Sequence, residues 1–172
     1  IDSCLRVMAF MLEENGFTPA IVTGKEYPRF FSDTKKKPIC YKCFKEKHDS
    51  KDHIWYPAKY ILLTGTETLT PSEIAKITGH INREDNKYGK LVKVLLGSVV
   101  SAEGVDFKRI RQVHIMDGWY NKARIDQVEG RAIRNGSHRD LLPEERNVDI
   151  YKYCITNPSS LKGKEKYHGR KK

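Results

Sequence analysis

Three stretches constrain the fold more than anything else in this chain: Tyr60-Ile61-Leu62-Leu63, Leu91-Val92-Lys93-Val94-Leu95-Leu96 and Gln112-Val113-His114-Ile115-Met116. Each is a short, nearly continuous apolar run, so neither face of the strand it forms can be left to water. That is the situation of a parallel sheet covered by helices on both sides. Helical patterns fall between and around the runs. Leu5, Met8, Ala9 and Leu12 lie at helical spacing, with Asp2 or Ser3 as the cap and Gly16 as the stop. Thr70-Pro71-Ser72-Glu73 is a capping box, and Gly79 is expected just beyond the end of its helix. Asn121 caps a helix predicted over Lys122 to Arg134, and Asp149 to Ile155 supplies a further strand. The expected class is α/β, a mostly parallel sheet with helices on both faces. In such sheets ligands gather at the carboxyl ends of strands, which directs attention to the loops after Leu96 and after Met116.

Composition narrows the function classes. At 172 residues the chain fits one domain, and 38% hydrophobic with 31% charged residues is the balance of a folded core, not of a disordered chain. The longest apolar run, Val7 to Leu12, is far short of the roughly 20 residues of a bilayer span, so neither a membrane partner nor a secretory signal is expected. Four cysteines, two of them in a CxxC, do not make a disulfide framework and fit a reducing, intracellular setting. Of the net charge of +10, half lies in the last fifteen residues. Past Asn157-Pro158, residues 158–172 carry six Lys or Arg against one Glu and read as a basic tail or linker, with transient phosphate contact as the alternative. A chain that opens on Ile and closes on Gly-Arg-Lys-Lys reads as a piece of a longer polypeptide.

Between Lys25 and Tyr56 no period of either kind is sustained, and the segment reads as an insertion, with a metal-binding portion at about 33–56. Cys40, Cys43, His48 and His53 offer two thiolates and two imidazoles at intervals short enough to close on one zinc ion, which prefers four such ligands in a tetrahedron. The spacing is similar to the zinc knuckle of nucleocapsid proteins. It lacks that motif's glycines, because Phe44, Lys45, Glu46 and Lys47 fill the first four-residue gap. Lys45, Lys47 and Lys51 would ring the metal. Cys4 and Cys154 read as core residues, and His114 as strand filler.

Two further segments carry polar chemistry. The loop Gly97-Ser98-Val99-Val100-Ser101-Ala102-Glu103-Gly104-Val105-Asp106 supplies small residues that admit a phosphate or sugar, a Ser98 hydroxyl and an Asp106 carboxylate. In the helix after Asn121, Gln127, Arg131 and Arg134 are spaced by four and three and share one face, while Ile125, Val128 and Ala132 form the apolar stripe. Gly130 on that helix carries a penalty of about 1 kcal/mol against Ala, tolerated where something must approach closely.

Taken together, Ser98…Gly104-Val105-Asp106 and Gln127-Val128-Glu129-Gly130-Arg131-Ala132-Ile133-Arg134 resemble motifs V and VI of superfamily 2 helicases, which lie in the second RecA-like domain. Asn86-Lys87-Tyr88-Gly89, Arg109-Ile110-Arg111-Gln112-Val113-His114, Trp119-Tyr120-Asn121 and Leu142-Pro143-Glu144-Glu145-Arg146-Asn147-Val148 make the chain most similar to the nucleoside triphosphate phosphohydrolase I and early-transcription-factor helicases of poxviruses and other large DNA viruses. The resemblance, from about Ala58 to Ile155, implies a RecA-like domain over residues 1–157, with room for a further strand ahead of the opening helix. It implies Arg131 and Arg134 as arginine fingers on the γ-phosphate of ATP. Gln127, Gly130, Gly104 and Asp106 would line the nucleotide cleft, and Ser98 would lie near the nucleic-acid backbone, with DNA favoured over RNA. No G-x-x-x-x-G-K-[ST] occurs, since Gly24-Lys25-Glu26 and Gly89-Lys90-Leu91 lack its hydroxyl and spacing. The resemblance therefore places the ATP- and magnesium-gripping lobe upstream in the same polypeptide. It implies a chain inactive alone, and a viral, transcription-related parent found in the infected cell's cytoplasm and in virions. The competing expectation is a non-catalytic zinc module that holds nucleic acid by charge, with Arg131 and Arg134 on the backbone.

Overall fold

A computed structural model describes residues 2–22, 36–49, 51–63, 70–98, 105–116 and 121–153. The opening helix α1 spans Asp2–Glu14. Its assigned span already includes Asp2, and the side chains of Asp2 and Ser3 lie outside the described residues. The helix ends as its sequence predicts. Gly16 adopts φ +84°, its N–H reaches Glu13 O at 2.9 Å, and the N–H of Phe17 reaches back to Leu12 O at 3.0 Å, the paired bonds of a Schellman stop.

Strands β1 (Thr18–Pro19), β2 (Lys59–Leu63) and β3 (Val94–Gly97) form one parallel sheet in the order β1-β2-β3. Strands β4 (Gln112–Ile115) and β5 (Asp149–Lys152) pair parallel in a second ladder. Residues of β2 alternate between two buried faces. Tyr60 and Leu62 pack with Ala9, Leu5, Leu12 and Phe17 on the α1 side. Ile61 and Leu63 pack with Ile77, Ile81, Val92, Leu91 and Leu95 on the side of α2 (Pro71–Ile81). This two-sided burial is why the run is continuously apolar. The expected α/β class, with parallel pairing and helices on both faces, is what the described residues form.

Several boundaries differ from expectation, each for an identifiable reason. Strand β1 was not foreseen, because Pro19 interrupts it. The N–H groups of Thr18 and Ala20 reach Ala58 O and Tyr60 O, so the donor that proline lacks faces away from β2. The third strand starts at Val94, not Leu91. The Asn86 side chain takes the N–H groups of Leu91 and Val92 at 2.9 and 3.0 Å, and the ladder begins only with Lys93 N to Lys59 O. Helix α2 has the predicted capping box, Thr70 Oγ1 accepting from Glu73 N and Glu73 Oε2 accepting from Thr70 N. It runs through Gly79 to Ile81, however. Burial of Ile81 is worth about 1.5–3 kcal/mol, which outweighs the ~1 kcal/mol of a helical glycine. Helix α3 spans Lys122–Ala132 and stops short of Arg134, with Asn121 Oδ1 capping Ala123 N at 3.0 Å. Ala132 is buried and Ile125 and Val128 half-buried, as the stripe predicts, and Glu129 pairs with Lys152 of β5 at 2.5 Å. Strand β5 is described to Lys152, and residues 154 and 155 of the predicted strand lie outside the described residues. Among the described residues no helix is long and apolar enough to cross a membrane.

Candidate functional site

The structure joins two of the predicted residues directly. Arg134 Nη1 lies 3.1 Å from Asp106 Oδ1, bringing the segment before β4 against the turn after α3. Both side chains are more than half exposed, at 61% and 51%. An ion pair in that setting contributes about 0–1 kcal/mol, so its carboxylate is easily exchanged for another anion. Arg131 is half-buried in the last turn of α3, three residues before Arg134, and Gln127 is exposed one turn earlier. Gly130 is exposed, and a Cβ added there would meet nothing within 4 Å, so packing within the described residues does not demand the glycine. Gly104 lies outside the described residues.

The pair lies ahead of β4, not in the turn directly after β3. Ser137 N donates to Arg134 O, Arg109 N to Ser137 O, and Ile110 O accepts from His138 Nε2 at 2.7 Å. The Arg134 turn is thus fixed beside Arg109 and Ile110, just ahead of β4, on the amino-terminal rim. Helices run back against the strands, so the carboxyl ends of α2 and α3 converge there, and their partial negative charge favours guanidinium groups. Ser98 follows β3 at the opposite, carboxyl-terminal rim, its N–H 3.3 Å from Leu63 O. The structure therefore does not bring Ser98 together with the arginines.

Two residues absent from the sequence-based site bind this rim together. Asn82, the cap of α2, donates from Nδ2 to Asp106 O and accepts from Lys108 N, both at 2.8 Å. Arg109 is only 7% exposed at its side chain and has φ +63°, a left-handed backbone that costs a non-glycine residue about 1–3 kcal/mol. Its Nη1 donates to Asn82 O and Arg83 O at 3.0 and 3.1 Å, and its Nη2 to Glu84 at 2.9 Å and to Asp140. The hydrogen bond from Arg109 holds the Asp140 carboxyl below its ordinary range. No local pattern could have flagged Asn82, whose partners lie 24 and 26 residues away.

The structure also places His138, for which the residue pattern carries no reading, and differs from expectation at His114 and Cys4. His138 is buried, taking the Ser137 hydroxyl on Nδ1 and donating from Nε2, an internal role. His114 is exposed instead of filling a core. Its ring stacks on Tyr151 at 4.7 Å, and its Nδ1 meets the Tyr153 hydroxyl at 2.8 Å. Cys4 is exposed on α1, not buried, while Cys154 lies outside the described residues.

The Cys/His cluster converges. Ligand atoms of Cys40, Cys43 and His53 all lie within 4.8 Å of one another. Cys40 Sγ is 3.3 Å from His53 Nε2, and Cys43 Sγ is 3.6 Å from His48 Nε2. Zinc bond lengths in a tetrahedron imply ligand–ligand edges of about 3.5 Å, which these two spacings match, and the three-residue group could hold an ion with His48 outside it. His48 Nδ1 is 2.7 Å from Glu46 O, which selects the tautomer that leaves Nε2 free to ligate. Burial pushes the Cys40 thiol up. Hydrogen bonds at the backbone of Cys43, Lys42 and Tyr56, and from His53, overrule it and bring the thiol to about 6, toward the thiolate a metal requires. The missing glycine is also explained. Phe44, directly after the CxxC, takes the left-handed turn itself at φ +57°, and its ring packs toward Phe17 at 6.3 Å. Bridges Ile39–Glu46 and Cys40–Pro57, with Ile39 N to Gly16 O and Ala58 N to Ile39 O, root the loop between α1 and β2. Lys45, Lys47 and Lys51 are exposed around it.

Comparison with known proteins identifies the family. The family described as the helicase conserved C-terminal domain matches residues 30–136. A protein of Acanthamoeba polyphaga mimivirus named as an ATP-dependent RNA helicase is 41% identical over 93 residues, 54% of this chain and 11% of its own length. A termination factor NPH-I homolog of African swine fever virus is 42% identical over 158 residues, 89% of this chain and 22% of its own. An early transcription factor large subunit homolog of the same virus is 33% identical over 125 residues, 73% of this chain and 11% of its own. The chain thus spans only about a tenth to a fifth of the length of these relatives. With a match over more than half of its residues and a parallel, two-sided α/β architecture, the chain belongs to the helicase conserved C-terminal domain family, in the RecA-like form shared with viral helicases.

Proposed function

We propose that this chain is the C-terminal half of an ATP-dependent nucleic-acid helicase or translocase acting in viral transcription, inside the infected cell. The observation that carries the reading is the exposed, weakly held pairing of Arg134 with Asp106 beside Arg131. In this reading residues 1–157 are a second RecA-like domain with a metal-binding insertion at about 33–56, and residues 158–172 are a basic tail.

ATP and magnesium are held mainly by a P-loop lobe upstream in the same polypeptide. When the lobes close, Arg131 and Arg134 meet the γ-phosphate and offset the charge that spreads over its oxygens during transfer, a contribution that a fixed guanidinium makes at any working pH. Asp106, Gln127, Gly130 and Gly104 border the nucleotide, and release of Arg134 from Asp106 is the local change that closure requires. Ser98, on the other rim, contacts the phosphodiester backbone, so closing and opening translate into movement along the strand. Cys40, Cys43, His48 and His53 hold one structural zinc ion, which supplies folding energy to a loop with little core of its own.

The test is ATP turnover by a polypeptide carrying both lobes, with DNA and with RNA. Arg134→Ala is expected to lower nucleic-acid-stimulated turnover by about 10³-fold or more, the scale of an arginine finger. Full turnover in that variant refutes the finger, and binding of nucleic acid without any ATPase in the two-lobe protein would favour a non-catalytic zinc module instead.

A further inference from the structure

We infer that Asn82 and Arg109 are positioning residues that hold the backbones of Asp106 and of the Arg134 turn in one block, so that the side-chain pair can open while its two stems stay fixed, an inference that rests on the finger reading of Arg134. Neither partner of the pair stands on regular structure. Asp106 belongs to a segment outside helix and strand, and Arg134 lies beyond the last residue of α3. Groups on irregular backbone are imprecisely placed unless other contacts fix them.

Those contacts form a closed circuit. The Asn82 side chain grips Asp106 O and Lys108 N, both at 2.8 Å. The Asp106 carboxylate reaches Arg134 at 3.1 Å, and Arg134 O accepts from Ser137 N at 3.0 Å. Ser137 O accepts from Arg109 N at 3.1 Å, and Arg109 Nη1 returns to Asn82 O at 3.0 Å. The left-handed backbone of Arg109 lets its N–H face the Arg134 turn while its guanidinium points back to the end of α2, Glu84 and Asp140. Taken together the links tie the carboxyl end of α2 to Asp106 through Asn82 and to the Arg134 turn through Arg109 and Ser137, and the exposed pair itself is too weak to do so.

Two conservative variants isolate this role. Asn82→Asp keeps an acceptor for Lys108 N but loses the donor to Asp106 O. Arg109→Lys keeps the charge but cannot span the two carbonyls and two carboxylates together. In the two-lobe protein each is expected to lower kcat for stimulated ATP hydrolysis by about 10- to 100-fold, the scale of a small misplacement of a reacting group. KM for nucleic acid should stay within about twofold. Neither change should add to Arg134→Ala when combined with it, whereas a merely structural loss would. Circular dichroism establishes that the variants are folded at the assay temperature, and should one unfold the other decides. If Arg134→Ala abolishes stimulated turnover while the folded variants keep more than about half of kcat, the positioning inference falls and the finger stands. If Arg134→Ala itself retains full turnover, the finger falls and takes the inference with it.

Discussion

Replacing Asn86 with alanine should destabilise this domain more than any exposed change nearby, and the size follows from its bonds. Asn86 is 8% exposed in the 3-10 turn Glu84–Asn86 between α2 and β3. Its Nδ2 donates to Ile81 O at 2.8 Å, and its Oδ1 accepts from Leu91 N and Val92 N at 2.9 and 3.0 Å. Alanine leaves one carbonyl and two N–H groups without these partners, and each lost bond is worth about 1 kcal/mol, more where water cannot replace it. The sum is about 3 kcal/mol, and in a domain of this size each kcal/mol moves Tm by about 2–4 °C, so Asn86→Ala should lower Tm by about 6–12 °C. Asp85→Ala is the control in the same turn. Its ion pair with Arg83 joins side chains 58% and 41% exposed, so about 0–1 kcal/mol is at stake. Thermal melting of the 172-residue chain followed by circular dichroism reads both. A shift in Asn86→Ala no larger than in Asp85→Ala would show that these three bonds do not set the α2–β3 connection.

Two more predictions concern the metal loop and its root. Elemental analysis of the purified chain should find about one zinc per molecule, lost in Cys40→Ser and in His53→Ala but kept in Cys4→Ser; metal-free chain with an unchanged melting curve after zinc is added would exclude the site. Gly16→Ala should cost about 1–3 kcal/mol of stability by melting, because its φ of +84° is left-handed and a Cβ would stand 2.8 Å from both Ile39 Cγ2 and Lys37 O; an unchanged Tm would mean the Schellman stop and the loop behind it can shift freely.

What could be read in the residues was whatever local pattern or local chemistry dictates. The apolar run Tyr60–Leu63, the Thr70–Glu73 capping box, the Asn121 cap and the stripe Ile125, Val128 and Ala132 all appear where their patterns place them. Likewise Cys40, Cys43 and His53 are close enough in sequence for their convergence to be foreseen, with His48 near Cys43 but outside that group. The misses share another character. Ile81 carries α2 through Gly79 because of tertiary burial, and Asn86 takes two donors that strand periodicity had assigned to a ladder. The rim that gathers Asp106 and Arg134 depends on side-chain bonds from Asn82 and Arg109 across more than twenty positions, for which spacing gives no signal. Nor did spacing show that the chain between β3 and β4 carries Asp106 back to the end of α2, where it meets Asn82 and Arg134.

Pro19 has a bearing on how copies of this protein behave in concentrated solution. A sheet border with free amide hydrogens is a template on which another molecule's backbone can dock and start a growing aggregate. At the middle of the β1 contact the ring removes the single hydrogen that would point outward, since Thr18 and Ala20 spend theirs inward on Ala58 and Tyr60. Among the described residues β1 has β2 as its one neighbour, and on its other side the same proline that concealed the strand offers an approaching backbone no amide hydrogen at that position.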